Sequence, residues 1–428
     1  MIETIEIDGF RLLKNFKADL KPLTVIIGAN GSGKSSLIDC LQLISRCCEF
    51  PLTTVLGSTA GSNLTFDGST TSWLWKIGFR KPEDPYWSEL PIEEASRLTY
   101  DVEIHFDKTG IPIPINEELY DYEIESGNKK LNTYLESNQL HKQIFDNQSG
   151  KLVSFDEKSQ NKYPSIADRT AKSIQHKHQS ELDGYSLFLS KMQFPNEFPI
   201  PYASRSLLSR MSFYPYFDVS HSSNLRNKAS ELKAVTWLTP DGDNLATVLH
   251  EMLTRIEYKS VAKELNNYLR IAYPEFEDIS SETTFHSKPL LLVRVKEKHT
   301  TRSTEIWELS DGVLRFLCLA AALLNPFPPP FIAVDEPETG LHPGLMPLVA
   351  TMIIKASRRT QVLVTTHNSD LIDCFDIKDV AVMARSTQKL KAIWHRPSDR
   401  GDLKELLQPA IGDTLADLYR SGDLEAGV

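Results

Sequence analysis

The sequence predicts an α/β fold built around a largely parallel sheet, equipped to bind phosphate. Three observations predict it. Leu23 opens an apolar stretch, "LTVIIG", which runs into a glycine-rich turn and then a helical pattern, "SSLIDCLQLISRC". Strand, glycine loop and helix in that order mark an α/β phosphate site. Four apolar residues, "FIAV", run directly into Asp335 and Glu336, as when a buried strand emerges at one end of a sheet. Beyond Ser206 strand and helix patterns alternate again, as a parallel sheet requires.

The chain has 428 residues, enough for two or three structural units. Hydrophobic residues make up 41% and charged residues 24%, the balance of an ordinary globular protein. No run approaches the roughly 18 apolar residues of a membrane helix. "MIETIEIDGF" has acids and no basic segment where a secretory signal would need one, and "GDLEAGV" lacks a prenylation cysteine. The five cysteines, Cys40, Cys47, Cys48, Cys318 and Cys374, show no CxxC spacing and read as buried thiols of a reducing compartment. A cytoplasmic protein without membrane contact is expected. The net charge of −10 argues against a basic coat for nucleic acid but permits a local groove. "GFRKPED" near residue 80 and "RTAKSIQHKHQ" from Arg169 read as solvated charge or as such patches.

In chain order, "IETIEI" alternates like a half-buried strand, "KNFKADL" reads as a second strand and "LTVIIG" as a third. Between Thr53 and Asn196 the pattern weakens. "RLTYDVEIHFD" alternates like a strand and "YDYEIESGNKK" like a strand entering a turn. "NQLHKQIFDNQSGKLVSFDEKSQNKYPS" is polar enough to include mobile loops. The expected organisation is an N-terminal head segment over 1–56, a strand-containing and inserted polar subdomain over 57–205, and the second head segment over 206–428. In that last segment "DGDNLATVLHEMLTRI" is an amphipathic helix after a turn and "KPLLLVRVKE" a strand. "FIAVDE", "QVLVTTH" and "DVAVMAR" are further strands, with a helix around "GLMPLVATMIIKASR" and a helical tail over "DLKELLQPAIGDTLADLYRSG".

"GANGSGKSS", Gly28 to Ser36, fits G-x-x-x-x-G-K-[ST] in the required strand–loop–helix context. The loop amides through Gly28, Asn30, Gly31, Ser32, Gly33 and Ser36 can cradle phosphates. Lys34 can reach the β- and γ-phosphates, and Ser35 can ligate Mg²⁺. Asp335 suits the same cation, directly or through water, and Glu336 suits a general base acting on water. His367 ends the next strand. A lone histidine is usually structural, but this one falls where a γ-phosphate sensor is wanted.

"ELSDGVLRFL" raises a second question. Ser310 is a good helix N-cap and Asp311 suits the positive end of a helix dipole. Gly312 has no place in that account, since glycine within a helix costs about 1 kcal/mol. A small residue there lets helix amides approach an anion. One glycine loop already holds a nucleotide, so Ser310 and Gly312 point to the γ-phosphate of another subunit.

With these residues in view, the chain resembles the ABC-type ATPase heads of the RecF/SMC/OLD group, and more closely the stand-alone "AAA family ATPase" proteins of bacteria. The match covers the first 50 residues or so and most of the chain after Ser206. "GANGSGKSS" stands for Walker A, "LSDG" for the ABC signature, "FIAVDEPETGLHP" for Walker B with the D-loop, and "TTH" for the H-loop. "FYPYF" and "LTPDGDNLATVL" resemble further landmarks of the stand-alone branch. The resemblance implies a homodimer or higher homo-oligomer sandwiching ATP and Mg²⁺. It also implies slow hydrolysis as a switch, coupled to DNA or to a separately encoded effector such as a nuclease, in DNA maintenance or anti-phage defence. The signature departs from LSGGQ, the insertion is too short for an SMC arm, and no Toprim nuclease follows the H-loop. Gln193 in "KMQFP" is the Q-loop candidate, and His342 belongs to the turn after Walker B, within reach of a dimer partner.

Other chemistries fit less well. "HEMLT" at His250 lacks the second histidine of a zincin helix and reads as an ordinary helix face. A P-loop kinase or GTPase would leave "LSDG" and His367 without a role. An ATP-gated scaffold that never touches nucleic acid remains the alternative. Salt-dependent DNA binding in the ATP state separates it from a DNA-acting switch.

Overall fold

The computed structural model describes residues 1–56, 64–68, 70–80, 96–123, 129–138, 142–146, 151–154, 185–193, 195–196, 198–226, 230–231, 237–285, 289–386, 390–401 and 414–424. At its centre lies a six-stranded sheet. In chain order its strands are β3 (Leu23–Ile27), β10 (Ser212–Tyr214), β15 (Phe331–Asp335), β16 (Gln361–Thr365), β17 (Val380–Arg385) and β18 (Ala392–His395). The spatial order is β10-β15-β16-β3-β17-β18, with every pairing parallel except the last.

These strands read as continuous apolar runs because both faces are covered. The period of two sorts their side chains between two cores. Val25, Ile27, Ile332, Val334, Val362 and Val364 enter one core, while Ile26, Ala333, Leu363 and Met383 enter the other.

Helix α1 (Lys34–Cys47) and helix α3 (Pro199–Ser209), with the short α2 (Leu52–Leu56), cover the second face. Beside them is an eight-stranded sheet in the order β2-β1-β4-β5-β6-β7-β8-β9. Its strands are β1 (Ile2–Asp8), β2 (Phe16–Asp19), β4 (Ser72–Phe79), β5 (Ser96–Phe106), β6 (Pro112–Glu123), β7 (Lys129–Asn138), β8 (Lys142–Asp146) and β9 (Lys151–Ser154). Trp73, Trp75, Ile77 and Phe79 on β4, and Leu98, Tyr100, Val102 and Ile104 on β5, form its buried face at strict alternation. The first face carries α4 (Leu245–Thr254), α5 (Lys259–Ala272), α6 (Asp311–Leu323) and α7 (Met346–Ala356). With them lies a small antiparallel sheet of β11 (Ser230–Glu231), β12 (Phe276–Phe285), β13 (Pro289–Glu297) and β14 (Ser303–Glu305). Two short helices, α8 (Ser369–Ile372) and α9 (Leu415–Ser421), pack together after β16.

Several expectations need correction. The polar stretch expected to include loops also contains β8 and β9. Strands of four or five residues are too short to register as a period. The strands of residues 72–154 hydrogen-bond in series from β1, through its pairing with β4. Among the elements that the sequence left unassigned are β4, α3, β18, β12 and α5, the last packing by Val261, Leu265, Tyr268 and Leu269. Of the expected helical tail, 415–421 is helix and 402–413 lies outside the described residues, as does the patch from Arg169.

Candidate nucleotide site

The register of the parallel sheet assembles the site. Asp335 pairs with Thr365, and Thr365 pairs with Ile26, so the ends of β15, β16 and β3 are level. Gly28 follows β3 by one residue, Glu336 follows β15 directly, and His367 follows β16 by two residues. In a doubly wound sheet this carboxyl edge is where ligands bind.

The loop from Gly28 to Gly33 is shaped by backbone conformation. Gly28, Gly31 and Gly33 all have positive φ, and Gly33 is the left-handed N-cap of α1. A Cβ on Gly28 would lie 2.0 Å from the backbone oxygen of Met383 on β17. Gly28→Ala is therefore expected to displace the loop or the strand and to destabilise the protein by about 1–3 kcal/mol. Thermal melting checks this; a variant that melts with the wild type would show that the close approach does not dictate the loop path. Lys34, in the first turn of α1, is 6% exposed, and its Nζ donates to the carbonyls of Gly28 (2.7 Å) and Ala29 (3.1 Å). The ammonium thus lies folded across the mouth of the loop. Ser32 is buried, and its hydroxyl oxygen has no hydrogen-bond partner among the described residues, whereas Ser35 and Asn30 are exposed and Ser36 half-buried.

Asp335 accepts a hydrogen bond from the Thr365 hydroxyl. Burial pushes its carboxyl up from the ordinary range and the Glu336 carboxylate adds to this, against the Thr365 bond and Lys34. A divalent cation would offset both effects. Hard oxygens from Asp335 and Ser35 suit Mg²⁺, which takes few protein ligands and completes its shell with phosphate and water. When bound, Mg²⁺ would neutralise charge on the β- and γ-phosphate oxygens.

Glu336 is a non-glycine residue in the left-handed region, φ 49. Such a backbone costs on the order of 1 kcal/mol and persists where its surroundings hold it. Here its N–H donates to the Thr365 carbonyl (3.1 Å) and hydroxyl (3.2 Å). The turn leaves the Glu336 side chain half exposed, with Oε1 3.7 Å from His367 Nε2. His367 is held below the usual imidazole range, first by burial and then by the nearby Lys34 ammonium.

Glu338, absent from the sequence reading, organises this corner. Its Oε1 accepts from the Thr366 hydroxyl (2.6 Å), the His367 N–H (3.0 Å) and the Asn368 N–H (3.2 Å). The carboxylate two residues past Glu336 thereby fixes the turn that presents His367. The second acid of "DEPE" was the available signal.

Ser310 and Gly312 lie elsewhere. Buried side chains of α1 belong to one core and those of α6 to the other, so the two helices cover opposite faces of the parallel sheet. Helix α6 precedes β15 in the chain, and Gly312 in its first turn approaches Gly340, five residues past the carboxyl end of β15 at Asp335. Ser310 occupies the N-cap position and is exposed. Its side chain accepts no capping bond, a correction to the role expected of its hydroxyl. The approach to it is held by Arg226, which donates to the carbonyls of Trp307 (2.6 Å) and Leu309 (3.0 Å) and pairs with Asp311. A Cβ on Gly312 would lie 3.4 Å from the Gly340 carbonyl, so the signature and D-loop touch within one chain. Arg315 packs against Gly340 and stacks on Tyr216 of "FYPYF", 4.8 Å from the ring centroid.

His342 caps its own turn, Nδ1 accepting from the Gly344 N–H at 3.0 Å, and lines a small cavity of about 140 Å³ with Ser310 and Gly312. Gln193 is exposed before α3, its N–H bonded to the Lys191 carbonyl. Among the described residues no hydrogen bond joins it to the site. His250 bonds Ser281 across α4 and β12 at 2.9 Å.

A parallel sheet carrying this glycine loop, flanked by helices and an antiparallel sheet, has the P-loop α/β fold seen in SMC heads. The solved SMC head bound to the C-winged helix domain of ScpA superposes with a TM-score of 0.50 and 14% sequence identity, covering 93% of this chain and 99% of that chain. An SMC head with an extended coiled coil, bound to the C-terminal domain of ScpA and derived from Pyrococcus furiosus, gives 0.46 at 15% identity, covering 94% and 98%. The SMC head of Thermotoga maritima gives 0.38 at 14%, covering 92% and 98%. No curated protein matches the chain. Residues 23–373 match the family described as "AAA domain, putative AbiEii toxin, Type IV TA system", and the chain belongs to that family. No described helix is long and apolar enough to cross a membrane.

Proposed function

We propose that this chain is an ATPase switch that closes as a homodimer around two ATP molecules and opens on hydrolysis. In this reading Lys34 and the amides of Gly28–Ser36 hold the phosphates, Ser35 and Asp335 hold Mg²⁺, and Glu336 draws a proton from the attacking water. His367 reads the γ-phosphate. Ser310 and Gly312 complete the site of the partner subunit. The observation that carries the reading is the placement of the two helix N-termini at one edge of the sheet but over opposite faces. One loop holds phosphate, and the other presents first-turn amides with no side-chain cap toward a separate anion.

The family description names a toxin of a type IV toxin–antitoxin system, which supports a role in anti-phage defence rather than in housekeeping metabolism. The solved SMC head is bound to a domain of another protein, which supports a separately encoded effector, such as a nuclease, as what the switch controls. DNA is the alternative target of the same switch.

The test is complementation. Ser310→Arg fills the space where the partner's γ-phosphate would enter, and it is expected to stop hydrolysis while each monomer still binds nucleotide. Mixed with inactive Lys34→Ala protein, it should regain part of the wild-type rate. One composite site of a mixed dimer then carries both lesions and the other carries neither. Wild-type turnover by Ser310→Arg alone would overturn the shared site. If Ser310 were only the residue before a buried helix, Ser310→Ala would keep full activity, and with no capping bond to lose it would also keep its stability.

A further inference from the structure

The two ring nitrogens of His367 have different neighbours. Nε2 faces the Glu336 carboxylate at 3.7 Å, while Nδ1 lies 3.2 Å from the hydroxyl of Tyr419 on α9, 52 residues along the chain. A neutral imidazole carries one N–H, and the hydrogen bond at one nitrogen decides which nitrogen bears it. A carboxylate, which only accepts, favours the proton on Nε2. Nδ1 then presents a lone pair, and the tyrosine hydroxyl can donate to it. Burial and the Lys34 ammonium both disfavour a second proton on the ring.

We infer that Tyr419 is a positioning residue for hydrolysis: its O–H donates to His367 Nδ1 and holds the ring as the Nε2–H tautomer. Resting on the reading that His367 meets the γ-phosphate, this makes Nε2 a donor toward a phosphate oxygen. The other tautomer would present a lone pair to that oxygen and repel it.

Helix α9 is fastened to the segment that follows His367, so the hydroxyl is held in place. The Ala416 N–H donates to Asp373 (3.2 Å), and Arg420 donates to Ser369 (2.9 Å) and lies 3.6 Å from Asp370. Thr414 and Asp417 form a capping box at its start, and Leu415, Leu418 and Leu424 are buried in the core behind α8. Movement of α9 would therefore alter the ring that senses nucleotide, without touching the glycine loop.

The experiment compares wild type with Tyr419→Phe, which keeps the ring and removes the hydroxyl. Nucleotide-free protein labelled with ¹⁵N-histidine is read by long-range ¹H–¹⁵N correlation, and His367→Gln identifies the His367 signal among the 11 histidines. The wild type is expected to show a protonated Nε2 and a bare Nδ1, and Tyr419→Phe a mixture of tautomers. Turnover should fall about three- to tenfold, as for loss of one neutral hydrogen bond. The affinity for a non-hydrolysable ATP analogue should stay within about twofold, a split that places the loss in the hydrolytic step. A wild-type ring protonated at Nδ1, or an unchanged spectrum and turnover in Tyr419→Phe, overturns the inference. A lower melting temperature with unchanged turnover per folded molecule would make Tyr419 merely structural and overturns it as well. Failure of the wild type to hydrolyse ATP would instead remove the proposed function, and the nucleotide-free spectrum would still decide the tautomer.

Discussion

Lys34→Ala should reduce Mg²⁺-dependent ATP hydrolysis to background, a loss of at least about 10²-fold, the scale for removing one preorganised group that stabilises transition-state charge. Two effects combine. The phosphates lose their nearest loop cation, and the carbonyls of Gly28 and Ala29 lose the ammonium that draws them together. Truncation removes a desolvated charge but also leaves the two carbonyls without that donor, so stability is measured beside activity. Phosphate release by purified wild type and variant, each checked for a folded melting transition, is the measurement. Equal rates would show that the loop does not serve the reaction or that a contaminant supplies it.

Glu336→Gln should keep ATP binding and slow turnover by about 10²–10⁴-fold, the usual cost of losing a general base. The substitution is nearly isosteric, and the backbone at φ 49 is held by bonds from its own N–H to Thr365, which the amide side chain leaves intact. Charge and proton affinity change while the turn does not. With hydrolysis blocked, the ATP-bound dimer should accumulate, and light scattering should report a doubled mass with ATP and a monomer without it. A variant turning over at the wild-type rate would remove Glu336 from the role of base. Loss of one carboxylate also leaves Asp335 with less repulsion, so its carboxyl should move back toward the ordinary range.

Much of the site was legible because its parts are local. Gly28, Gly33 and Lys34 lie within one turn of chain, and the glycines are needed where φ is positive or a Cβ would strike Met383. Asp335 and Glu336 could be located because a run of buried apolar residues must end where the strand leaves the sheet. Glu338 was visible as an acid but not as a clamp, since its three donors come from residues 28 to 30 positions later. Tyr419 could not be found at all. Nothing in "LADLYRSG" sets that tyrosine apart from any other on a helix.

The same distinction governs the fold. Periodicity exposed the central strands and most covering helices because each buries enough apolar side chains to repeat a pattern. It did not resolve β8 and β9, which are only five and four residues long, and it could not say that β4 would pair with β1. The sequence alone therefore determined which residue types stand at the glycine loop and strand ends, and the class of fold that carries them. Register, the left-handed turn at Glu336, the clamp from Glu338, the Tyr419 contact and the opposite-face placement of α1 and α6 were decided only by tertiary structure. Local propensity and spacing act over a few residues, whereas each of these arises when distant segments meet and must satisfy one another's hydrogen bonds and packing.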